Sequence, residues 1–171
     1  FQTVAKDINN SGLVGGSGEN SWVWTKTDGL TVLDAGSGFN ATNFQGLSDS
    51  GHAFGFVNTS DNSVQYAFAW SESQGVELII LEQGRTSGIR AWNDFGQAVG
   101  YSSTSEYAIV GISWSPGESI TILDPLFLRS DAFAVNNRGQ VAGYTYADPG
   151  GFLYDLVGAR WNVLPLGNPD D

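Results

Sequence analysis

The stretch Asn136-Asn137-Arg138-Gly139-Gln140-Val141-Ala142-Gly143-Tyr144 recurs along the whole chain. The same pattern stands as NNSGLVGG from Asn9, SDSGHAFGF from Ser48 and NDFGQAVGY from Asn93. Its turn glycines, Gly12, Gly51, Gly96 and Gly139, are 39, 45 and 43 residues apart, and a second glycine follows each at a distance of four, at Gly16, Gly55, Gly100 and Gly143. A period of that length means that one small unit is used several times over, because such a unit cannot bury its apolar face alone and must stack on the next.

Other landmarks keep the same phase. Trp24, Trp70 and Trp114 share one position, with Tyr154 there in the last copy, and a turn glycine follows at Gly29, Gly75, Gly117 and Gly158. Each copy closes on an apolar pair: Val32-Leu33, Ile80-Leu81, Ile122-Leu123 and Val163-Leu164. The chain therefore divides into repeats of about 1–38, 39–86, 87–129 and 130–171 within one repeat domain. Apolar residues show no helical spacing, so the fold is all-β, four repeats of four short antiparallel strands.

The spacing predicts a first strand leading into the turn (Thr3 to Ile8, Thr42 to Leu47, Ile89 to Trp92, Ala132 to Val135) and a second leaving it (Leu13 to Gly16, His52 to Val57, Gln97 to Ser102, Gln140 to Tyr146). A third carries the Trp (Ser21 to Thr25, Tyr66 to Ser71, Ile109 to Ser115, Gly151 to Asp155), and a fourth closes the copy (Leu30 to Leu33, Val76 to Leu81, Ser119 to Leu123, Trp161 to Leu166). In the turns, Asn, Asp and Ser hold downstream amides while Gly supplies the positive φ. The second glycine, inside a strand, marks close approach of a backbone or an aromatic ring.

Composition removes several classes of function. Eighteen acidic against seven basic residues give a net charge of -11, which opposes binding to nucleic acid or to an anionic membrane surface. There are no cysteines, so disulfides, thiolate metal sites and cysteine nucleophiles are excluded. The longest apolar run, Val76 to Leu81, is interrupted by Glu77 and spans no bilayer. A chain that begins at Phe1 and holds no methionine is expected to be a processed or excised product, which points to export, at the cell surface or outside it.

The turn motif, the aromatic-x-Trp strand and the Gly-x-x-x-[Ile/Val]-Leu close together resemble the extracellular HAF repeat family, whose repeats form β-propeller-like structures. All four copies match; Ser48 replaces the first turn Asn, Leu13 and His52 replace the Gln, and Tyr154 replaces the Trp. The resemblance implies secretion or surface display and brings no catalytic residues. Four such units could close as a four-bladed propeller, form part of a larger ring completed by a second chain, or leave an open array whose end faces need covering.

No constellation of catalytic type stands out, so the chain is not expected to be an enzyme. His52 is the lone histidine, with no Gly-x-Ser-x-Gly elbow to accompany it. Asp34, Glu82 and Asp124 recur at one repeat position, which marks a capping or turn role. Asp7, Asp49 and Asp94 near the turns leave calcium as the one conceivable ion, although no copy has the alternating acidic loop. All six Trp occupy repeat-apolar positions, which assigns them to packing between sheets.

Residues that depart from the repeat, or carry an aromatic ring at a strand end, are the candidate partner contacts: His52, Phe95, Tyr101, Tyr107, Phe127, Arg138, Tyr144 and Tyr146. The expected function is that of a secreted, non-enzymatic structural or interaction protein engaging protein partners or further copies of itself, with no cofactor. Two alternatives remain: a lectin with one aromatic-lined pocket per repeat, built around residues such as Tyr101 and Tyr144, and a glycoside-processing enzyme using a carboxylate pair such as Asp94 and Asp131.

Overall fold

The computed structural model describes residues 3–105, 109–123, 129–145, 151–157 and 160–165, with only the course of the backbone from residue 145 onward. Among these the chain is all strand and turn. The first sheet is β1 (Val4–Ile8), β2 (Val14–Ser17), β3 (Ser21–Thr25) and β4 (Gly29–Leu33). The second is β5 (Asn43–Leu47), β6 (Ala53–Asn58), β7 (Gln65–Ser71) and β8 (Gly75–Ile79). The third is β9 (Ser87–Trp92), β10 (Ala98–Ser103), β11 (Ile109–Trp114) and β12 (Thr121–Ile122), and the fourth is β13 (Ser130–Val135), β14 (Val141–Thr145), β15 (Gly151–Val157) and β16 (Arg160–Pro165). Each sheet is an antiparallel meander in chain order. No helix long and apolar enough to cross a membrane occurs among the described residues.

The strands fall where the repeat places them, with informative differences at their ends. β9 and β13 begin earlier than the apolar pattern predicts, at Ser87 and Ser130. Both serines are buried, and Thr42 just before β5 is their equivalent. Thr42 Oγ1 donates to the Leu33 carbonyl at 2.7 Å and accepts from the Ser21 amide at 3.0 Å, so one hydroxyl ties the third and fourth strands of the preceding sheet together. Ser87 repeats this with the Ile79 carbonyl and the Ala67 amide, at 2.6 and 3.0 Å. Ser130 Oγ accepts from the Gly111 amide at 2.8 Å. A polar residue is thus recruited to each strand start because it satisfies backbone groups that stacking would otherwise bury unpaired.

The in-strand glycines belong to a bulge that the sequence pattern does not announce. In all four sheets the pairing of first and second strands skips a residue, leaving Lys6, Gln45, Arg90 and Phe133 unopposed. The bend pushes a carbonyl against the second glycine of the copy. A Cβ on Gly16, Gly55, Gly100 or Gly143 would overlap the carbonyl oxygen of Val4, Asn43, Gly88 or Asp131 respectively, and on Gly16 and Gly55 also the ring of Trp22 or Phe68.

The cores lie between sheets. Leu13, Val23 and Leu33 of the first sheet pack on Phe44, Leu47, Phe68 and Trp70 of the second. The opposite face of the second sheet, with Phe54, Ala69 and Ile79, packs on Ile89, Ile112 and Trp114 of the third. Val99 and Leu123 of the third meet Ala132 and Val141 of the fourth. Each of the second, third and fourth sheets therefore has a leading face covered by the trailing face of the sheet before it. Among the described residues the sheets do not close into a ring.

Candidate interaction surface

Serial stacking leaves the leading face of the first sheet bare. Trp24 is 40% exposed, whereas Trp70 and Trp114 at the same repeat position are 9% and 3% exposed. Leu30 and Val32 on β4 are 57% and 52% exposed, while their register equivalents on β8, Val76 and Leu78, pack into the junction core. Ile8 on β1, in register with Val14 and Trp24, extends the same patch at 65% exposure. A groove of about 260 Å³ runs across it, lined by Thr3, Asn20, Trp22, Leu30 and Val32 among others. The assignment of all six Trp to packing between sheets therefore needs correction for Trp22 and Trp24: their positions are packing positions, but the first copy has no sheet in front of it, and the side chain of Trp161 lies outside the described residues.

The Asn-rich turns also do more than reverse the chain. Within a copy, Asn9 Oδ1 accepts the Ser11 and Leu13 amides at 3.1 and 2.9 Å, and Asn93 and Asn136 act alike. Between copies, Asn9 Nδ2 donates to the Ser48 carbonyl at 2.9 Å and Asn93 Nδ2 to the Asn136 carbonyl at 3.1 Å. Asn10 bonds Asp49, and Asp94 bonds Asn137, at the first and third junctions. Asp7 Oδ2 accepts the Leu47 amide at 2.9 Å. The three aspartates considered for calcium are thus engaged in joining copies. Among the described residues no group of three or more His, Asp or Glu side chains is placed to hold a metal ion.

The candidate contacts divide by location. Phe95 and Arg138 sit at equivalent turn tips and are exposed, Phe95 at 69%. His52 is half-buried at the second junction, stacked on Phe54 with ring centroids 6.2 Å apart and with Nδ1 3.0 Å from Ser50 Oγ; burial pushes its pKa down. Tyr107, Phe127 and Tyr146 lie outside the described residues.

Tyr101 and Tyr144 do come into one cluster, through two residues that the sequence pattern did not single out. The guanidinium of Arg90 lies 4.8 Å from the Tyr101 ring centroid and 5.6 Å from that of Phe133, and Phe133 stacks on Tyr144 at 5.6 Å. Arg90 Nη2 donates to Asp131 Oδ2 at 3.0 Å. Burial raises the pKa of Asp131, against the lowering effect of the hydrogen bond and charge of Arg90. The bulge aims Arg90 and Phe133 outward, and Gly88 leaves room for the Tyr101 ring. In the first two copies the corresponding residues are Lys6 with Ser17 and Gln45 with Phe56, so this ladder of rings and guanidinium occurs at the third junction alone among the described residues.

The carboxylates offered as a catalytic pair are far apart. Asp94 is held by Asn137, beyond one end of β13, and Asp131 lies near the other end. From 131 to 135 the strand alone runs roughly 13 Å, beyond the 6.5–9.5 Å over which two carboxylates flank one glycosidic bond.

Fold and surface together define a class: an all-β array of repeated four-stranded meanders, joined by repeated side-chain bonds and open at its leading face. No protein-family model and no curated protein matches the chain.

Proposed function

We propose that this chain is a non-enzymatic, β-propeller-like interaction module of the extracellular HAF repeat type, which works by engaging a protein partner at or outside the cell surface. The observation that carries the reading is the bare leading face of the first sheet. Four large apolar side chains, Ile8, Trp24, Leu30 and Val32, are 40–65% exposed on that one face. Monomeric soluble proteins rarely show a contiguous apolar patch of more than a few hundred Å², and those that do use it to bind. The polar residues support the same reading, since the repeated Asn, Asp, Ser and Thr side chains are spent on joining copies.

The test uses the apolar dye ANS. The native chain should enhance its fluorescence, and Leu30→Lys combined with Val32→Lys should abolish the enhancement without changing the far-ultraviolet circular dichroism. A folded native chain that gives no enhancement would overturn the reading.

A glycan-binding role is a second reading, and one observation favours it: the half-exposed Phe133 and Arg90 beside Tyr101 and Tyr144. It would then be a single site at the third junction, and a glycan array probed with Phe133→Ala against wild type tests it.

A further inference from the structure

The three junctions inside the chain specify what fits the bare face. At each of them the residue just before or at the start of the first strand reaches back with a buried hydroxyl: Thr42 to Ser21 and Leu33, Ser87 to Ala67 and Ile79, Ser130 to Gly111. Thr3 holds that position in the first copy. It is exposed, and its side chain makes no hydrogen bond to another of the described residues. Around it lie the apolar positions that the second and third sheets present to the sheet before them, Trp24, Leu30 and Val32 standing where Trp70, Val76 and Leu78 stand.

The face therefore carries both halves of a junction, the apolar surface and the hydroxyl, and lacks only the preceding sheet. What complements it is a trailing face of the same kind, such as that formed by Leu13, Val23 and Leu33 or by Phe54, Ala69 and Ile79. The fourth sheet of this chain follows the same meander, with Leu153 opposite Ala142 in the register that places Val23 opposite Gly15 and Ala69 opposite Phe54. It packs on the third sheet and leaves the first uncovered. A further copy has a fourth sheet to offer.

We infer that the leading face of the first sheet is a socket for the fourth sheet of a second copy of this chain, docked head to tail in the register of the internal junctions. This rests on the reading of the face as an open binding surface and names its occupant. A head-to-tail contact uses two different surfaces, so each copy keeps one of each free and the association continues into a ring of copies or an open filament.

Light scattering coupled to size exclusion over a wide concentration range, with ANS fluorescence on the same samples, tests it. Wild type should rise through multiples of the monomer mass as concentration increases, losing ANS binding as it does so. Val32→Lys should remain monomeric, and since Val32 is exposed in the monomer the variant should keep the wild-type unfolding midpoint. Thr3→Val, which keeps the shape and removes the hydroxyl, should weaken association by roughly five- to thirtyfold, the worth of about one to two kcal/mol. A wild type that stays monomeric while binding ANS, with Val32→Lys not binding, overturns the second copy as occupant and leaves the open face standing. A monomer that binds no ANS overturns both. Association that persists in Val32→Lys overturns the assignment of the socket to this face.

Discussion

A histidine that is half-buried against a phenylalanine ring acts as a small pH sensor of stability. The pKa of His52 is lowered from its ordinary 6.5 because burial disfavours the imidazolium. Below pH 6.5 the unfolded chain takes up a proton at His52 before the folded chain does, so stability falls as pH drops from 6.5 toward the folded pKa and is fully present above 6.5. Replacing His52 by Gln, the residue at the same position in the next two copies, should remove that dependence. Urea unfolding at a series of pH values checks it: the wild-type midpoint should decline below pH 6.5 relative to His52→Gln, with a slope of at most one proton. Glycine offers a second prediction at this scale. Gly143→Ala forces a Cβ into the Asp131 carbonyl and should cost about 3 kcal/mol, whereas Gly12→Ala meets open space and pays only for its φ of 83°, about 1–2 kcal/mol. Thermal unfolding of the two variants should rank them in that order. Both glycine roles were legible in the spacing of the two glycines. The bulge that creates the second role was not, because Lys6, Gln45, Arg90 and Phe133 share no chemistry by which a reader could align them.

At the scale of strands and sheets, the repeat period set strand order and the side-chain alternation, and the structure departs from it mainly where backbone satisfaction overrides hydrophobicity. β9 and β13 extend back to Ser87 and Ser130, residues whose polarity reads as loop in a sequence but whose hydroxyls are buried in junctions. The same logic predicts an asymmetry. Ser87→Ala strands the Ala67 amide and the Ile79 carbonyl and should destabilise the chain by about 1–3 kcal/mol. Thr3→Ala at the open end should change monomer stability by less than about 0.5 kcal/mol, as exposed substitutions do. Denaturant midpoints of the two variants, measured at concentrations too low for association, decide whether the hydroxyl is a junction device or a local one. The ladder of Tyr101, Arg90, Phe133 and Tyr144 was half legible: the two tyrosines stand out by position, but their meeting depends on the bulge and on the stacking of one sheet against the next.

For the molecule as a whole, the question left by four equal copies is what becomes of the two ends. Sequence alone could say that a stack of repeats must cover its terminal faces; it could not say which face would be bare, because every Trp stands at a packing position in its own copy. Only the order of stacking distinguishes Trp24 from Trp70 and Trp114. The chain has no cysteine, so a single thiol introduced at one repeat position reports on one face. Val32, Leu78 and Ile122 are register equivalents opposite Trp22, Phe68 and Ile112. The rate of thiol labelling of Val32→Cys, Leu78→Cys and Ile122→Cys in dilute native protein tests the central claim of a one-directional stack with an open leading face. The account predicts labelling at position 32 at nearly the rate of a free thiol and strong protection at 78 and 122; equal protection at all three would mean that the first sheet is covered and would contradict it.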